Sequence, residues 1–349
     1  MGTLTEQLAV QTREAELYKP LDRGRVECFA CGHRCPISPG FAGVCKVRFN
    51  RGGKLYAPYG YVNAAHCDPI EKKPFFHVLP GARAFSFGML GCDLHCGYCQ
   101  NWVSSQALRN PHSTLDFSLA TPPELVDLAL RQGAAAMVGT YNEPLITAEW
   151  AVAIFRQAKA AGLITGFVSN GNATPEVLEY IRPWVDLYKV DLKTFDDRRY
   201  RELGGRIGPI LESLHRIHEM GFWLEVVTLV VPGFNDSEAE LRQIAEFLAG
   251  ISPDIPWHVT AFHRDYKMMG PADTPPETLL RAAAAGREAG LRYVYAGNLP
   301  GLAGLEDTHC PGCGATLIER RGFRVLRNRL SAGKCSHCGY AIPGVWGRP

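Results

Sequence analysis

The run Ala84-Phe85-Ser86-Phe87-Gly88-Met89, continued by Leu90-Gly91-Cys92-Asp93-Leu94-His95-Cys96-Gly97-Tyr98-Cys99-Gln100-Asn101, decides how this chain is read. An apolar, strand-like segment delivers a CxxxCxxC triplet at its carboxyl end. Three thiolates can hold three irons of a cubane iron-sulfur cluster and leave the fourth iron open, whereas electron-carrier clusters are closed by four cysteines. An open iron can bind and reduce a ligand. S-adenosylmethionine (SAM) is such a ligand, and its one-electron cleavage yields a 5'-deoxyadenosyl radical that abstracts hydrogen from a substrate. Zinc is the competing reading, but a structural zinc wants four ligands, and only His95 lies beside the triplet as a fourth. Tyr98 offers an aromatic face to an adenine, or a ring that packs beneath the loop.

The chain has 349 residues and 12 cysteines, with a formal net charge of +2. The pI is near 8.0. That balance creates no strong global field and calls for neither nucleic acid nor membrane. No apolar run is long enough to span a bilayer, and Met1 to Glu6 lack a signal peptide's charged start and apolar stretch, so a cytoplasmic protein is expected. In that compartment cysteines point to metal binding rather than disulfides. They fall into groups: Cys28, Cys31, Cys35 and Cys45; the triplet; and Cys310, Cys313, Cys335 and Cys338, with Cys67 left over.

From about residue 84 to residue 300, β-branched or aromatic runs alternate with longer helical segments, the pattern of a parallel sheet built from βα units. Strands are expected at Ala84 to Met89, Ala135 to Thr140, Thr165 to Ser169, Leu187 to Asp191, Leu224 to Val231 and Trp257 to Phe262, with a seventh possible at Arg292 to Ala296. Thr121, Ser237 and Thr274 each precede a glutamate by three residues, the capping-box arrangement. Gly162, Gly221, Gly250 and Gly290 are the expected helix stops. The fold class is therefore α/β, a partial (β/α)6 TIM-like barrel over residues 76–303. A Cys-rich N-terminal module (1–75) and a zinc-ribbon-like C-terminal module (304–349) flank it.

In such barrels reactive groups gather at the carboxyl ends of the strands. The second strand runs into Thr140-Tyr141-Asn142-Glu143-Pro144, the third into Ser169-Asn170-Gly171-Asn172, and the fourth into Lys189-Val190-Asp191-Leu192-Lys193. Strand alternation puts Lys189, Asp191 and Lys193 on one face, and His263 stands at the lip of the last strand. Each has an ordinary structural explanation taken alone. Together, beside a cysteine triplet, they read as a site.

With these motifs on view, the chain resembles the radical SAM enzymes, and within them the glycyl-radical activating enzymes such as the pyruvate formate-lyase activating enzyme, with the AmmeMemoRadiSam system enzymes as the nearest match. The resemblance rests on Cys28-Phe29-Ala30-Cys31-Gly32-His33-Arg34-Cys35, Asp68-Pro69-Ile70-Glu71-Lys72-Lys73-Pro74, the cluster string ending in Gln100-Asn101-Trp102, Thr140 to Pro144, and the final cysteine-rich segment. It implies that Glu143, with Asn142 beside it, takes the place of the family's Gly-Gly-Glu at the SAM amino group, Tyr141 and Asn142 replacing the glycines. It implies that Lys193 holds the SAM carboxylate and that Asp191 belongs to a cation site, in which Val168 replaces an Asp. Ser169 and Asn170 match a Thr-Asn pair, and His263 matches a histidine that contacts the ribose. The implied partners are a flavodoxin- or ferredoxin-like electron donor and Memo-like and AMMECR-like proteins.

The knuckles Cys310-Pro311-Gly312-Cys313 and Cys335-Ser336-His337-Cys338 read as a zinc ribbon, with a rubredoxin-like iron as the alternative. For Cys28, Cys31, Cys35 and Cys45 the spacing fits zinc, preferred here, or an auxiliary cluster. Cys67 reads as an inert buried thiol, with hydrogen donation near the radical as the alternative. Basic residues cluster at Arg320, Arg321, Arg324, Arg327, Arg329 and Lys334, and again from Arg23 to Lys54, as expected of a solvated face. A nucleic-acid or protein-binding ribbon, able to present a macromolecular substrate, is the alternative from another functional class, and glycyl-radical activation is the alternative within the enzyme class.

Overall fold

In a computed structural model, residues 4–110, 113, 115–299 and 304–347 are described. An eight-stranded sheet organises the chain. It comprises β1 (Ala64–Pro69), β2 (Arg83–Gly88), β3 (Ala134–Gly139), β4 (Ile164–Ser169), β5 (Leu187–Asp191), β6 (Trp223–Val230), β7 (Trp257–Ala261) and β8 (Val294–Gly297), neighbours in that order. From β2 to β8 every pairing is parallel, while β1 runs antiparallel along β2. β1 and β8 do not pair, so the barrel is open. All six expected strands are present, and the possible seventh is β8.

The reason is burial on both faces. Every residue of β3 is buried, and its alanines let Met137 and Val138 pack without crowding neighbouring strands. Helices α1 (Pro122–Arg131), α2 (Ala148–Ala160), α3 (Pro175–Ile181), α4 (Ile207–Glu219), α5 (Glu238–Ile251) and α6 (Pro276–Glu288) link successive strands. Fully buried Trp150, Phe155, Phe167, Tyr188 and Trp257 belong to one large apolar cluster.

Local signals fare unevenly. Thr121 and Glu124 form the expected capping box, and Ser237 caps α5. Glu240 does not complete that second box; its carboxylate is drawn to Thr194, the Phe195 amide and Arg199. Thr274 is not a cap, because α6 begins one residue later with Pro275 at the N-cap, and the Thr274 hydroxyl is used by the Phe262 amide and the Val230 carbonyl. Gly162, Gly221 and Gly290 take positive φ, but Gly250 lies inside α5.

The N-terminal segment folds into short antiparallel strands against α2. Buried Arg48 makes a two-pronged contact with Glu149 of α2 at 2.6 and 2.7 Å, and Glu149 also accepts the Glu16 amide at 3.2 Å. β1, within the expected N-terminal module, belongs to the central sheet. The expected boundary at residue 303 lies outside the described residues, as do Met1 to Thr3.

The C-terminal segment, with strands β9 (Thr308–His309), β10 (Thr316–Arg321) and β11 (Arg324–Asn328), sits on the barrel. Phe76, Tyr293 and Tyr295 pack with Leu317, Ile318 and Ile342. The backbone of Val345 bonds to His77 and Leu79. Arg320, expected on a solvated face, is instead buried, because it donates to the Phe76 carbonyl at 2.7 Å, the Thr308 hydroxyl at 2.8 Å and the Glu306 carbonyl at 3.1 Å. Arg327 and Arg329 share Glu319, each at 3.4 Å. Among the described residues no helix is long and apolar enough to cross a membrane.

Arg320→Ala strands buried acceptors on both sides of this junction. A destabilisation of about 2–4 kcal/mol is expected, read as a fall in thermal midpoint and early proteolysis of the C-terminal segment. Unchanged proteolysis would show that the contact does not hold the two parts together.

Candidate active site

A cavity of about 440 Å³ opens at the carboxyl ends of the parallel strands. Its near side is the cluster string, through Cys96, Tyr98, Cys99 and Gln100; Tyr141, Lys189, Asp191 and Lys193 supply the strand-end wall; Phe76, His258 and Tyr295 form the far end; and Glu306 and Phe323 come from the C-terminal segment. β2 brings the triplet here because Gly88 lets the chain after β3 come close: a Cβ at Gly88 would lie 2.4 Å from the Thr140 carbonyl oxygen.

The triplet is packed rather than displayed. Cys96 and Tyr98 are buried and Cys92 and Cys99 half-buried, in an apolar setting with Leu94, Val231 and Phe262. Burial pushes the Cys96 thiol up to about 11 and Cys92 well above its ordinary range, so a bound metal must supply the charge that makes them thiolates. Cys92 is not among the cavity-lining residues, and its sulfur lies 3.7 Å from an oxygen of buried Asp93. The Tyr98 ring meets Phe234 edge-on and its hydroxyl has no partner.

Asp191 stands between two lysines, contacting Lys189 and lying 3.6 Å from Lys193. Burial opposes the charge on Asp191, but the lysines outweigh it and hold the carboxyl below its ordinary range. Burial likewise opposes the charge on Lys193, and Asp191 with nearby Cys96 raises it well above the usual lysine range.

Glu143, Ser169 and Asn170 come together next to this wall without lining the cavity. Glu143 accepts the Ser169 hydroxyl at 2.7 Å, the Asn170 amide at 2.7 Å and the Leu145 amide at 3.1 Å. It forms no pair with Lys193. Asn142 accepts the Met89 amide at 3.0 Å, and the Asn170 side chain donates to Asp93 at 2.7 Å. His263 is exposed at the lip, 2.8 Å from the Gln100 side chain, away from the Glu143 group.

Several residues escaped the sequence reading. Tyr141 has a φ of 73°, the left-handed region that favours glycine, and holds it while its hydroxyl contacts Ser86 at 3.0 Å and Lys73 at 3.3 Å. Replacement of the family's glycine was the available signal. His258 lies at the far end with Nε2 2.7 Å from Glu225, which also accepts the Phe76 and His77 amides. Its place near the start of β7 concealed it.

The C-terminal cysteines meet as expected: one ligand atom from each of Cys310, Cys313, Cys335 and Cys338 lies within 4.8 Å of all the others. Cys28, Cys31, Cys35 and Cys45 are gathered on the other side of the cluster string, with Cys28, Cys31 and Cys45 buried.

A cysteine triplet opening into a cavity at the strand ends of an open parallel barrel defines an α/β protein organised around a metal-dependent site. Residues 88–248 match the family model of the radical SAM superfamily. The chain is 36% identical over 334 residues to an uncharacterised protein of Methanocaldococcus jannaschii, covering 95% of this chain and 98% of that one. A benzylsuccinate synthase activating enzyme of Thauera aromatica is 31% identical over 143 residues, covering 37% of this chain and 43% of its own length. A pyruvate formate-lyase-activating enzyme of Staphylococcus aureus is 24% identical over 250 residues, covering 63% and 92%. Among solved structures, a radical SAM methyltransferase from Sphaerobacter thermophilus shares the fold, with a TM-score of 0.50 and 16% identity over 62% of this chain and 67% of that one.

Burial and then the charge of Asp93 push Glu143 up to about 8, against the hydrogen bonds that lower it. The folded state therefore holds this proton more tightly than the unfolded chain, and the stability it contributes is present at low pH and lost as pH rises through about 8. Ligand-free protein should lose thermal stability between about pH 5 and pH 8, and Glu143→Gln should flatten that slope; parallel slopes for the two proteins would refute the assignment.

Proposed function

We propose that the chain cleaves SAM reductively at a [4Fe-4S] cluster held by Cys92, Cys96 and Cys99, and uses the resulting radical to remove a hydrogen atom from a substrate in the cavity. The observation that carries this reading is that Cys96 and Cys99 open into the same cavity as the Lys189, Asp191 and Lys193 wall. The donor set fits the group. Cys92, Cys96 and Cys99 are all free thiols, and Cys96 and Cys99 line the cavity in which a ligand of an open iron would lie.

Held by Cys92, Cys96 and Cys99, the cluster would supply the single electron for reductive cleavage of SAM to methionine and a 5'-deoxyadenosyl radical. The protein's part is to bind and orient. Lys193, kept protonated by Asp191, is assigned the SAM carboxylate. The resemblance, not the cavity lining, assigns the amino group to Glu143 with Ser169, Asn170 and Asn142, and Glu143 would have to turn from its bonds to Ser169 and the Asn170 amide to meet it; Tyr98 is assigned the adenine and His263 the ribose. Apolar Leu94, Val231 and Phe262 exclude water from the cysteines. A flavodoxin- or ferredoxin-like protein supplies the electron. Zinc is assigned to Cys310, Cys313, Cys335 and Cys338, because tetrahedral zinc-thiolate geometry places sulfurs roughly 3.8 Å apart.

Glycyl-radical activation is a second reading, favoured by the activating-enzyme relatives. The walls from Glu306 and Phe323 favour a substrate that fits inside the cavity. Nucleic-acid binding by the C-terminal segment is disfavoured, since Arg320 is buried and Arg327 and Arg329 are paired.

Anaerobic protein reduced with dithionite and given SAM should release 5'-deoxyadenosine, and Cys96→Ala should abolish the release; undiminished release from that variant would overturn the reading. Lys193→Ala should raise the KM for SAM roughly ten- to a hundredfold, the worth of a charge-assisted contact. Cys313→Ser should cost about one zinc per chain without loss of iron, measured by metal analysis.

A further inference from the structure

The cavity is polarised from one wall to the other. Asp191, Val227, His258 and Tyr295 stand in register across β5, β6, β7 and β8, and Thr260 and Gly297 stand in register one pleat nearer the strand ends. On the β5 side the wall is cationic, because Lys189 and Lys193 share the single carboxylate of Asp191. On the β7 and β8 side the free polar atoms are acceptors.

His258 is the first of them. Burial opposes the charge on Glu225, but His258 and His77 hold its carboxyl below the ordinary range, so it accepts and does not donate. The His258 Nε2, 2.7 Å from Glu225, therefore carries the ring's proton, and burial pushes the ring below its ordinary range, toward the neutral form. That leaves Nδ1 as a lone-pair acceptor, without a hydrogen-bond partner among the described residues, on a ring that lines the cavity.

Glu306 is the second. Its Oε2 accepts the Gly322 amide at 3.0 Å, while Oε1 lies over β8, 3.1 Å from where a Cβ on Gly297 would stand. Burial pushes the carboxyl up against the pull of that amide and of Arg320, and no cation among the described residues pairs with it. Lys72 and Lys73, which also line the cavity, are tied to Asp68 at 3.1 and 3.0 Å. Glu71 adds a third acceptor: it is 1% exposed, lines the same cavity, and its Oε2 has no partner. Buried acceptors without donors are costly, and here three of them border one space. Between them lie aromatic rings, with Phe76 and Tyr295 edge to face at 4.9 Å and Phe323 reaching in from the turn between β10 and β11.

We propose that this end of the cavity is the substrate subsite and takes an amine, its ammonium held by Glu306 as counter-charge and by His258 Nδ1 as hydrogen-bond acceptor, its apolar body on Phe76, Tyr295 and Phe323. An ammonium brings donors only, together with a charge that both the carboxylate and the ring faces attract. A carboxylate or phosphate would meet Glu306 and Glu71 as like charges. Calling this ligand the substrate rests on the radical SAM reading; the arrangement of acceptors does not. The residue that sets the charge preference, Glu306, lies beyond the segment matched by the family model.

The probes are 2-phenylethylamine and its neutral and anionic counterparts, 2-phenylethanol and 3-phenylpropionate, each titrated into the full-length protein and followed by ligand-observed NMR. The amine should bind about tenfold more tightly than either counterpart, and Glu306→Gln should remove roughly tenfold of its affinity, the worth of a charge-assisted contact. Glutamine still accepts from the Gly322 amide, so that substitution spares the turn. Gly297→Ala, whose methyl would press on Glu306 Oε1, should weaken the amine by a second route. Equal binding of the three probes, no binding of the amine, or an amine affinity unmoved by both substitutions would overturn the proposal. So would a loss of SAM affinity in reconstituted Glu306→Gln as large as the loss of amine affinity, since the carboxylate would then belong to SAM. SAM cleavage by wild type without amine binding sinks this subsite and leaves the radical SAM reading; amine binding without SAM cleavage sinks that reading and leaves the amine site.

Discussion

A carboxylate without access to water holds the two halves of this molecule in register. Glu225, in the middle of β6, accepts the Phe76 amide at 3.0 Å, the His77 amide at 2.9 Å, the Trp223 indole at 3.0 Å and His258 at 2.7 Å. A buried carboxylate is tolerable only when its oxygens are so engaged. Because two of the donors are consecutive backbone amides, the segment between β1 and β2 is fixed across the foot of the barrel. From there Phe76 meets Arg320 and His77 meets Pro343, and the C-terminal segment follows. An open barrel leaves the apolar edges of its terminal strands exposed unless something covers them. Here the covering is built on four bonds to one side chain.

The opposite end of the cavity is governed by a conformational cost. Tyr141 occupies a region of backbone space that costs a non-glycine residue roughly 1–3 kcal/mol. Contacts to Ser86 and Lys73 and the edge of His66, 5.8 Å away, hold the ring in place. The turn thereby keeps the shape a glycine would give it while adding an aromatic wall to the cavity. The same turn aims Asn142 at Met89 and Glu143 at Ser169, so the strand end carries polar groups inward as well as toward the cavity.

Much of this was legible in the sequence, and the parts that were not share a cause. Parallel strands buried on both faces betray themselves as apolar runs, and all seven were located to within two residues or so at either end. The triplet and the strand-end groups were found because short motifs follow those runs directly. What the sequence hid are pairings across long stretches. Arg320 looks like one more surface cation until Phe76 and Thr308 are brought beside it; Thr274 reads as a cap until Phe262 and Val230 claim its hydroxyl; Glu240 reads as a capping glutamate until Thr194 approaches. In each case a local preference of about 1 kcal/mol yields to burial of polar groups that must find partners. His258 was missed for the converse reason, since a histidine near the start of a strand carries no local signal of the cavity it faces.

Phe323 and Glu306 reach the cavity from the far end of the chain, although the family model stops at residue 248. The chamber is therefore closed by a part of the polypeptide that lies beyond the matched segment, and that part carries its own group of four cysteines. Two proteins with identical cluster strings and strand ends but different C-terminal segments would have different rooms behind the same door. Selectivity can then drift by exchange of a small appended module, while the cysteine triplet and the strand-end groups stay as they are.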